Sequence, residues 1–104
     1  MKEIIWLGNS YQDLLAFQKA ARQDAGYNLD KLQRGKEPSD WKPMTSIGQG
    51  VKELRIHYEN EYRVIYLAQR SKGIYILHSF VKKTQKTSPQ HIELARKRFK
   101  ELMK

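Results

Sequence analysis

The chain has 104 residues, 39% of them apolar and 30% charged, and a formal net charge of +9. That amounts to one small domain spanning 1–104 with one core. There is no cysteine, which excludes disulfides and thiolate metal sites and fits an intracellular protein. No apolar run approaches the ~20 residues needed to span a bilayer. The opening EIIWL is too short for a secretory signal, so a cytoplasmic protein with no membrane association is expected.

Lys2–Leu7 reads as a first strand closed by Gly8 and Asn9. Ser10 with Asp13 three residues on resembles a capping box. Leu14, Phe17, Ala21, Ala25, Leu29 and Leu32 then recur at helical spacing, a buried stripe. Gly26 weakens this stretch, leaving open two helices with a break within Phe17–Ala25 or one bent helix. Gly35 fits the helix C-terminus. Glu37–Asp40 reads as an extended turn, and Trp41–Met44 as an anchored loop with Trp41 and Met44 plugging the core.

Three strands rich in Val, Ile and Tyr follow, at Val51–Tyr58, Tyr62–Ala68 and Gly73–Val81. The segments Glu59–Glu61 and Gln69–Lys72 are short enough to be hairpin turns, so antiparallel pairing is expected. Ser88 and Pro89 mark the start of a last helix, with Ile92, Ala95, Phe99, Leu102 and Met103 as its apolar stripe. The order β-α(α)-β-β-β-α is an α+β fold, expected to leave one sheet face free of helices.

Function must be sought in the charges. Lys82–Lys104 holds eight Lys/Arg against two Glu, which suits a polyanionic partner and equally a solubilising surface. Strand alternation puts Leu54 and Ile56 on one side and Glu53, Arg55 and His57 on the other. The second set is expected to face solvent or a ligand, because unpaired charge is costly to bury. Arg63 lies across a tight turn from it, though its parity is shared by Ile65 and Leu67. In the last strand, Ile74, Ile76, His78 and Phe80 share one parity. His78 reads as a packed core histidine and His91 as a surface residue. The three histidines lack a metal-binding spacing, and no metal or cofactor is expected. A recognition helix or an aromatic stacking platform is not evident.

The runs LQRG…PSDWKPM, GVKELR, YRVIY and LHSFVKKTQKT together resemble the phage-derived HigB-type toxins of the RelE superfamily, over nearly the whole chain. The resemblance implies a RelE-like fold: a small twisted antiparallel sheet with two N-terminal helices and one C-terminal helix. It implies mRNA cleavage, usually on the translating ribosome, and a helix-turn-helix antitoxin as partner. Arg63 in YR and Arg55 in ELR match the superfamily's basic positions. Lys82, Lys83 and Lys86 fall where relatives place a histidine, tyrosine, lysine or arginine.

RNA attacks itself through its 2′-OH, so the protein must hold the phosphate, stabilise its added charge and move protons. Arg55 and Arg63 are candidate phosphate clamps. Clustered cations would depress the pKa of one of the three lysines and fit it as acid or base. Lys52, Glu53, His57, Thr84 and Gln85 are candidate RNA-binding residues, and Glu53 and His57 are also rival bases, His57 being the better tuned near neutral pH. On this reading Arg63→Ala abolishes toxicity with the fold intact. Two other functions fit the sequence: a non-catalytic relative that inhibits a protein such as DNA gyrase, and a plain nucleic-acid-binding module.

Overall fold

A computed structural model describes residues 1–68 and 73–104. The elements run β1 (Glu3–Trp6), α1 (Ser10–Leu15), α2 (Lys19–Gln33), β2 (Trp41–Pro43), β3 (Val51–Tyr58), β4 (Asn60–Leu67), β5 (Gly73–Lys82) and α3 (Pro89–Leu102). They form an α+β fold around one five-stranded sheet of order β1-β5-β4-β3-β2. The expected turn at Gln69–Lys72 lies outside the described residues.

β3, β4 and β5 pair antiparallel, as their alternation and short connections require. The β3–β4 turn is tighter than expected, since Asn60 already pairs with Tyr58 and Glu59 takes the positive φ of 61°. The sheet as a whole is mixed. β1 runs parallel to β5, with Glu3 opposite Gly73 and Trp6 opposite Ile76; α1, α2 and the strands β2, β3 and β4 all intervene between the two, far more chain than a parallel connection needs. Trp41–Pro43, expected as loop, is a short edge strand on β3, the position in a sheet where a proline costs no ladder bond.

Ser10 does not cap α1. Asn9 occupies the cap position, and the buried Ser10 hydroxyl instead donates to the Ile76 carbonyl at 3.2 Å, tying α1 to β5. The helical stripe breaks between Leu15 and Lys19, overlapping the start of the expected Phe17–Ala25 range, and Gly26 does not interrupt α2. Gly26 lies on the exposed side of α2, where a glycine costs only about 1 kcal/mol of propensity. Gly35, at φ 77°, ends α2 by donating to Leu32 while Lys36 donates to Lys31, the paired bonds of a left-handed helix close.

Leu14, Phe17, Ala21, Ala25, Leu29 and Leu32 pack on Leu54, Ile56, Val64, Tyr66, Ile74 and Ile76 of the sheet. The opposite face is also covered, contrary to the expectation of a helix-free face. There α3, through Ile92, Ala95 and Phe99, lies with Met44 and Ile47 over Val51, Ile65, Leu67, Leu77 and Phe80. Met44 is thus the core plug expected, whereas Trp41 is half-buried beneath the Lys52 ammonium, 4.3 Å from its ring centroid. What α3 leaves open is the end of its face nearest the β3–β4 turn.

The register decides which side chains reach that end. Ile65 pairs with His78 but Tyr66 pairs with Ile76, so β5 bulges at Leu77. One extra residue reverses the alternation. Ile74 and Ile76 face α2, while Leu77, His78 and Phe80 all turn to the α3 side. The parity shared in the sequence by Ile74, Ile76, His78 and Phe80 is therefore broken midway.

Candidate functional site

On the α3 side, three cross-strand rows lead to the open end. Glu53 is opposite Ile65 and then His78; Arg55 is opposite Arg63 and then Phe80; His57 is opposite Glu61 and then Lys82. Arg55 and Arg63 therefore share a face, and as directly opposed like charges they repel. Carboxylates from several elements offset this repulsion.

Glu53 is the hub. It is fully buried, with Arg63 Nε at 3.5 Å, Lys42 Nζ at 3.9 Å and the Thr87 hydroxyl donating to Oε2 at 3.2 Å. Arg63 is buried beside it, with its side chain 3% exposed. It donates through Nη2 to Glu61 at 3.1 Å and through Nη1 to the Tyr62 carbonyl at 2.9 Å. The expectation that the Glu53, Arg55 and His57 set faces solvent or a ligand thus fails at Glu53, and Arg63, whose face the sequence leaves open, is buried beside it. A buried charge is tolerated when it is paired and hydrogen-bonded, and these two residues supply that pairing.

Arg55 is the accessible arginine. Its side chain is 36% exposed and its Nε lies 3.9 Å from Asp40, a residue held in place because its carbonyl accepts the Arg55 N–H at 2.9 Å. His57 sits between two carboxylates, with Nε2 2.7 Å from Asp40 and Nδ1 2.7 Å from Glu61. Both ring nitrogens face acceptors, so only the protonated ring satisfies both. The bond to Asp40, then that to Glu61, raises the His57 pKa above 6.5 against a smaller opposing effect of burial. His57, expected as a base tuned near neutrality, instead bridges the segment before β2 and β4 through both ring nitrogens. Glu61 is lowered below 4.5, chiefly by His57, with help from Arg63.

A pH window follows. The raised His57 pKa adds stability that is complete below 6.5 and is lost as pH rises through the folded value. The lowered Glu61 pKa adds stability that is complete above 4.5 and is lost as pH falls through its folded value. The drop in melting temperature caused by His57→Ala is therefore expected to be largest between pH 4.5 and 6.5 and to narrow on either side. Parallel thermal melts of both proteins across pH check it.

Lys82 ends β5 beside these cations. Its pKa is lowered first by withdrawal from water, then by Arg63, Lys42 and Arg55, with Glu53 opposing. Lys82 and Lys83 line an open pocket of about 400 Å³ with Phe80, Thr84, Ser88 and His91. Thr84 is partly committed, its hydroxyl donating to the Lys86 carbonyl. Gln85 and Lys86 are exposed farther along the loop. Lys52 is not brought to this site. It shares the parity of Leu54 and Ile56 and pairs with Glu37 at 3.9 Å on the other side of the sheet.

Asp40, Lys42, Thr87 and His91 were not among the candidate residues. Asp40 and Thr87 lie within the runs PSDWKPM and LHSFVKKTQKT, but their contacts arise only when β2 and the post-β5 loop fold onto β3. His91, read as a surface residue, bonds the buried His78 at 2.8 Å between Nδ1 and Nε2 and stacks on Phe80. His78 is the packed, bonded histidine expected. Among the described residues, no three His, Asp or Glu side chains gather to hold a metal ion, and no helix is long and apolar enough to cross a membrane.

A mixed five-stranded sheet flanked by two N-terminal helices and one C-terminal helix defines an α+β protein consistent with the RelE-like fold. Residues 12–100 match the family model described as Phage derived protein Gp49-like (DUF891). The chain belongs to that family, which is RelE-like and toxin-like. A search of curated proteins returns no match to it.

Proposed function

We propose that this chain is the toxin of a toxin–antitoxin system, of the HigB type, and that it cleaves mRNA on the translating ribosome without a metal. The observation that carries this reading is the convergence of accessible Arg55 with Lys82, whose pKa is lowered by burial and by Arg63, Lys42 and Arg55, at the uncovered end of one sheet face. A phosphate held there meets a guanidinium fork and an ammonium that gives up its proton more readily than an ordinary lysine.

In the proposed reaction the 2′-OH attacks the adjacent phosphorus, and Arg55 binds the non-bridging oxygens as their charge grows. Lys82 donates a proton to the departing 5′ oxygen. Arg63 does not contact the RNA in this scheme, a change from the two-arginine clamp expected. Buried between Glu53 and Glu61, it fixes the β3–β4 register and keeps Lys82 acidic. The products are a 2′,3′-cyclic or 3′ phosphate and a 5′-OH. Lys83, Thr84, Gln85 and Lys86 bind the RNA strand in this proposal, and a helix-turn-helix antitoxin masks the site in the cytoplasm.

Controlled induction tests this reading. Growth is expected to stop and transcripts to shorten within the same interval, with Arg55→Ala relieving both. Intact transcripts together with DNA damage would instead indicate a gyrase inhibitor, and RNA that is bound but uncut would indicate a plain binding module.

A further inference from the structure

Arg55 and Lys82 supply a phosphate ligand and an acid but no base, and the carboxylates that occupy His57 remove the obvious choice. A second histidine meets the requirements. His91, in the first turn of α3, lines the same 400 Å³ pocket as Lys82 and Lys83, so a nucleotide in that pocket touches all three. Its ring is held on two sides. It stacks on Phe80 with centroids 4.0 Å apart and planes 14° apart, and its Nδ1 lies 2.8 Å from Nε2 of His78. Among the described residues its Nε2 has no hydrogen-bond partner.

We propose that His91 is the general base of the RNA cleavage proposed above, its Nε2 taking the 2′-OH proton while His78 holds the ring. This rests on the nuclease reading and assigns a step within it. The balance is simple: O2′ loses its proton to His91 and forms the O–P bond, the P–O5′ bond breaks, and Lys82 returns a proton to O5′. His78 is a positioning residue. It is 4% exposed, and burial, with smaller contributions from His91 and Arg98, lowers its pKa to about 4, so it stays neutral. Between two neutral rings the Nδ1···Nε2 bond can run either way. In the proposed state His91 Nδ1–H donates to Nε2 of His78, which puts the His78 proton on its buried, unpartnered Nδ1 and leaves His91 Nε2 bare. When Nε2 takes the proton, that same bond remains to stabilise the imidazolium. The arrangement is a base oriented by a third group, with a neutral ring in the place of the usual carboxylate.

The charged groups around His91 come from three elements. Asp13 of α1 favours its protonation, His78 of β5 is neutral, and Lys82 and Lys83, at and beyond the end of β5, line the same pocket. Burial sets the direction, lowering the His91 pKa below 6.5, so the ring is unprotonated and competent as a base at neutral pH.

Single-turnover cleavage by the full chain, on ribosomes programmed with a short message and on free RNA, tests the role across pH. The wild-type rate is expected to fall on the acid side with an apparent pKa below 6.5. His91→Ala is expected to lower the rate by about 10²–10⁴ and to abolish that acid limb. Added imidazole is expected to restore part of the rate, and affinity for a 2′-O-methyl RNA of the same sequence is expected to stay unchanged. His78→Leu is expected to displace the acid limb and lower kcat without weakening RNA binding. Should His91→Ala fail to melt cooperatively, His91→Gln, which bonds but does not titrate, takes its place with the same expected result. Wild-type cleavage with an equally fast His91 variant overturns the role alone. A wild-type chain that leaves every transcript intact overturns both the role and the nuclease reading.

Discussion

Arg63→Ala is expected to lower the unfolding free energy by about 3–5 kcal/mol, because it strands a buried carboxylate. Glu53 is fully buried, and its neighbours are Arg63, Lys42 and Thr87. Lys42 is half-exposed and more distant at 3.9 Å, so it cannot replace a guanidinium at the buried position. Arg63→Lys is expected to recover little, since an ammonium lacks the fork that reaches Glu53, Glu61 and the Tyr62 carbonyl together. Removing both charges, as Glu53→Leu with Arg63→Met, is expected to recover most of the loss, the usual behaviour of a buried pair replaced by apolar volume. Urea titrations of the single and double variants measure this directly. Equal stability of Arg63→Ala and wild type would mean that water reaches Glu53. The result bears on function as well: loss of toxicity in Arg63→Ala, expected from the sequence to occur with the fold intact, reports in part on a weakened fold.

Arg55→Ala and Lys82→Ala are the cleaner probes, and each is expected to slow RNA cleavage roughly 10²–10³-fold. Neither side chain belongs to the buried pair, and Arg55 is 36% exposed, so stability is expected to change by no more than about 0.5 kcal/mol. Lys82→Arg separates charge from proton transfer. It keeps the positive charge, but a guanidinium does not give up its proton. A slow Lys82→Arg enzyme is expected if Lys82 is the acid, whereas wild-type speed would reduce Lys82 to an electrostatic role. Quench-flow cleavage of one end-labelled message gives all three rates.

The parts of this arrangement that are local in the chain are legible in the sequence. The β3–β4–β5 meander follows from Val/Ile/Tyr runs and short connections, and α2 and α3 follow from their apolar stripes. The bulge at Leu77 was hidden because β5 is apolar on both faces, so its alternation carries no mark of which face is which. β2 was missed because three residues including a proline do not make a strand pattern, although β3 supplies the partner that stabilises one. Arg55, Arg63 and Lys82 were singled out, and the register does bring them to one face. Asp40, which meets Arg55, and Thr87, which donates to Glu53, acquire these roles from tertiary contact alone. The burial of Glu53 is not legible because a strand pattern shows a charge but not the opposite charge, here Arg63, that meets it. His91 was misjudged for a related reason: the first turn of an amphipathic helix looks exposed until the bulge in β5 turns His78 and Phe80 towards it.

Cationic side chains, with no metal ion, are proposed to direct the attack of a 2′-OH on its own phosphate. The end groups of transcripts cut by the purified chain in the presence of a metal chelator separate this from metal-dependent hydrolysis. Undiminished cleavage that leaves a 2′,3′-cyclic or 3′ phosphate and a 5′-OH is expected. Fragments ending in 3′-OH and 5′-phosphate, or cleavage abolished by the chelator, would overturn the proposal.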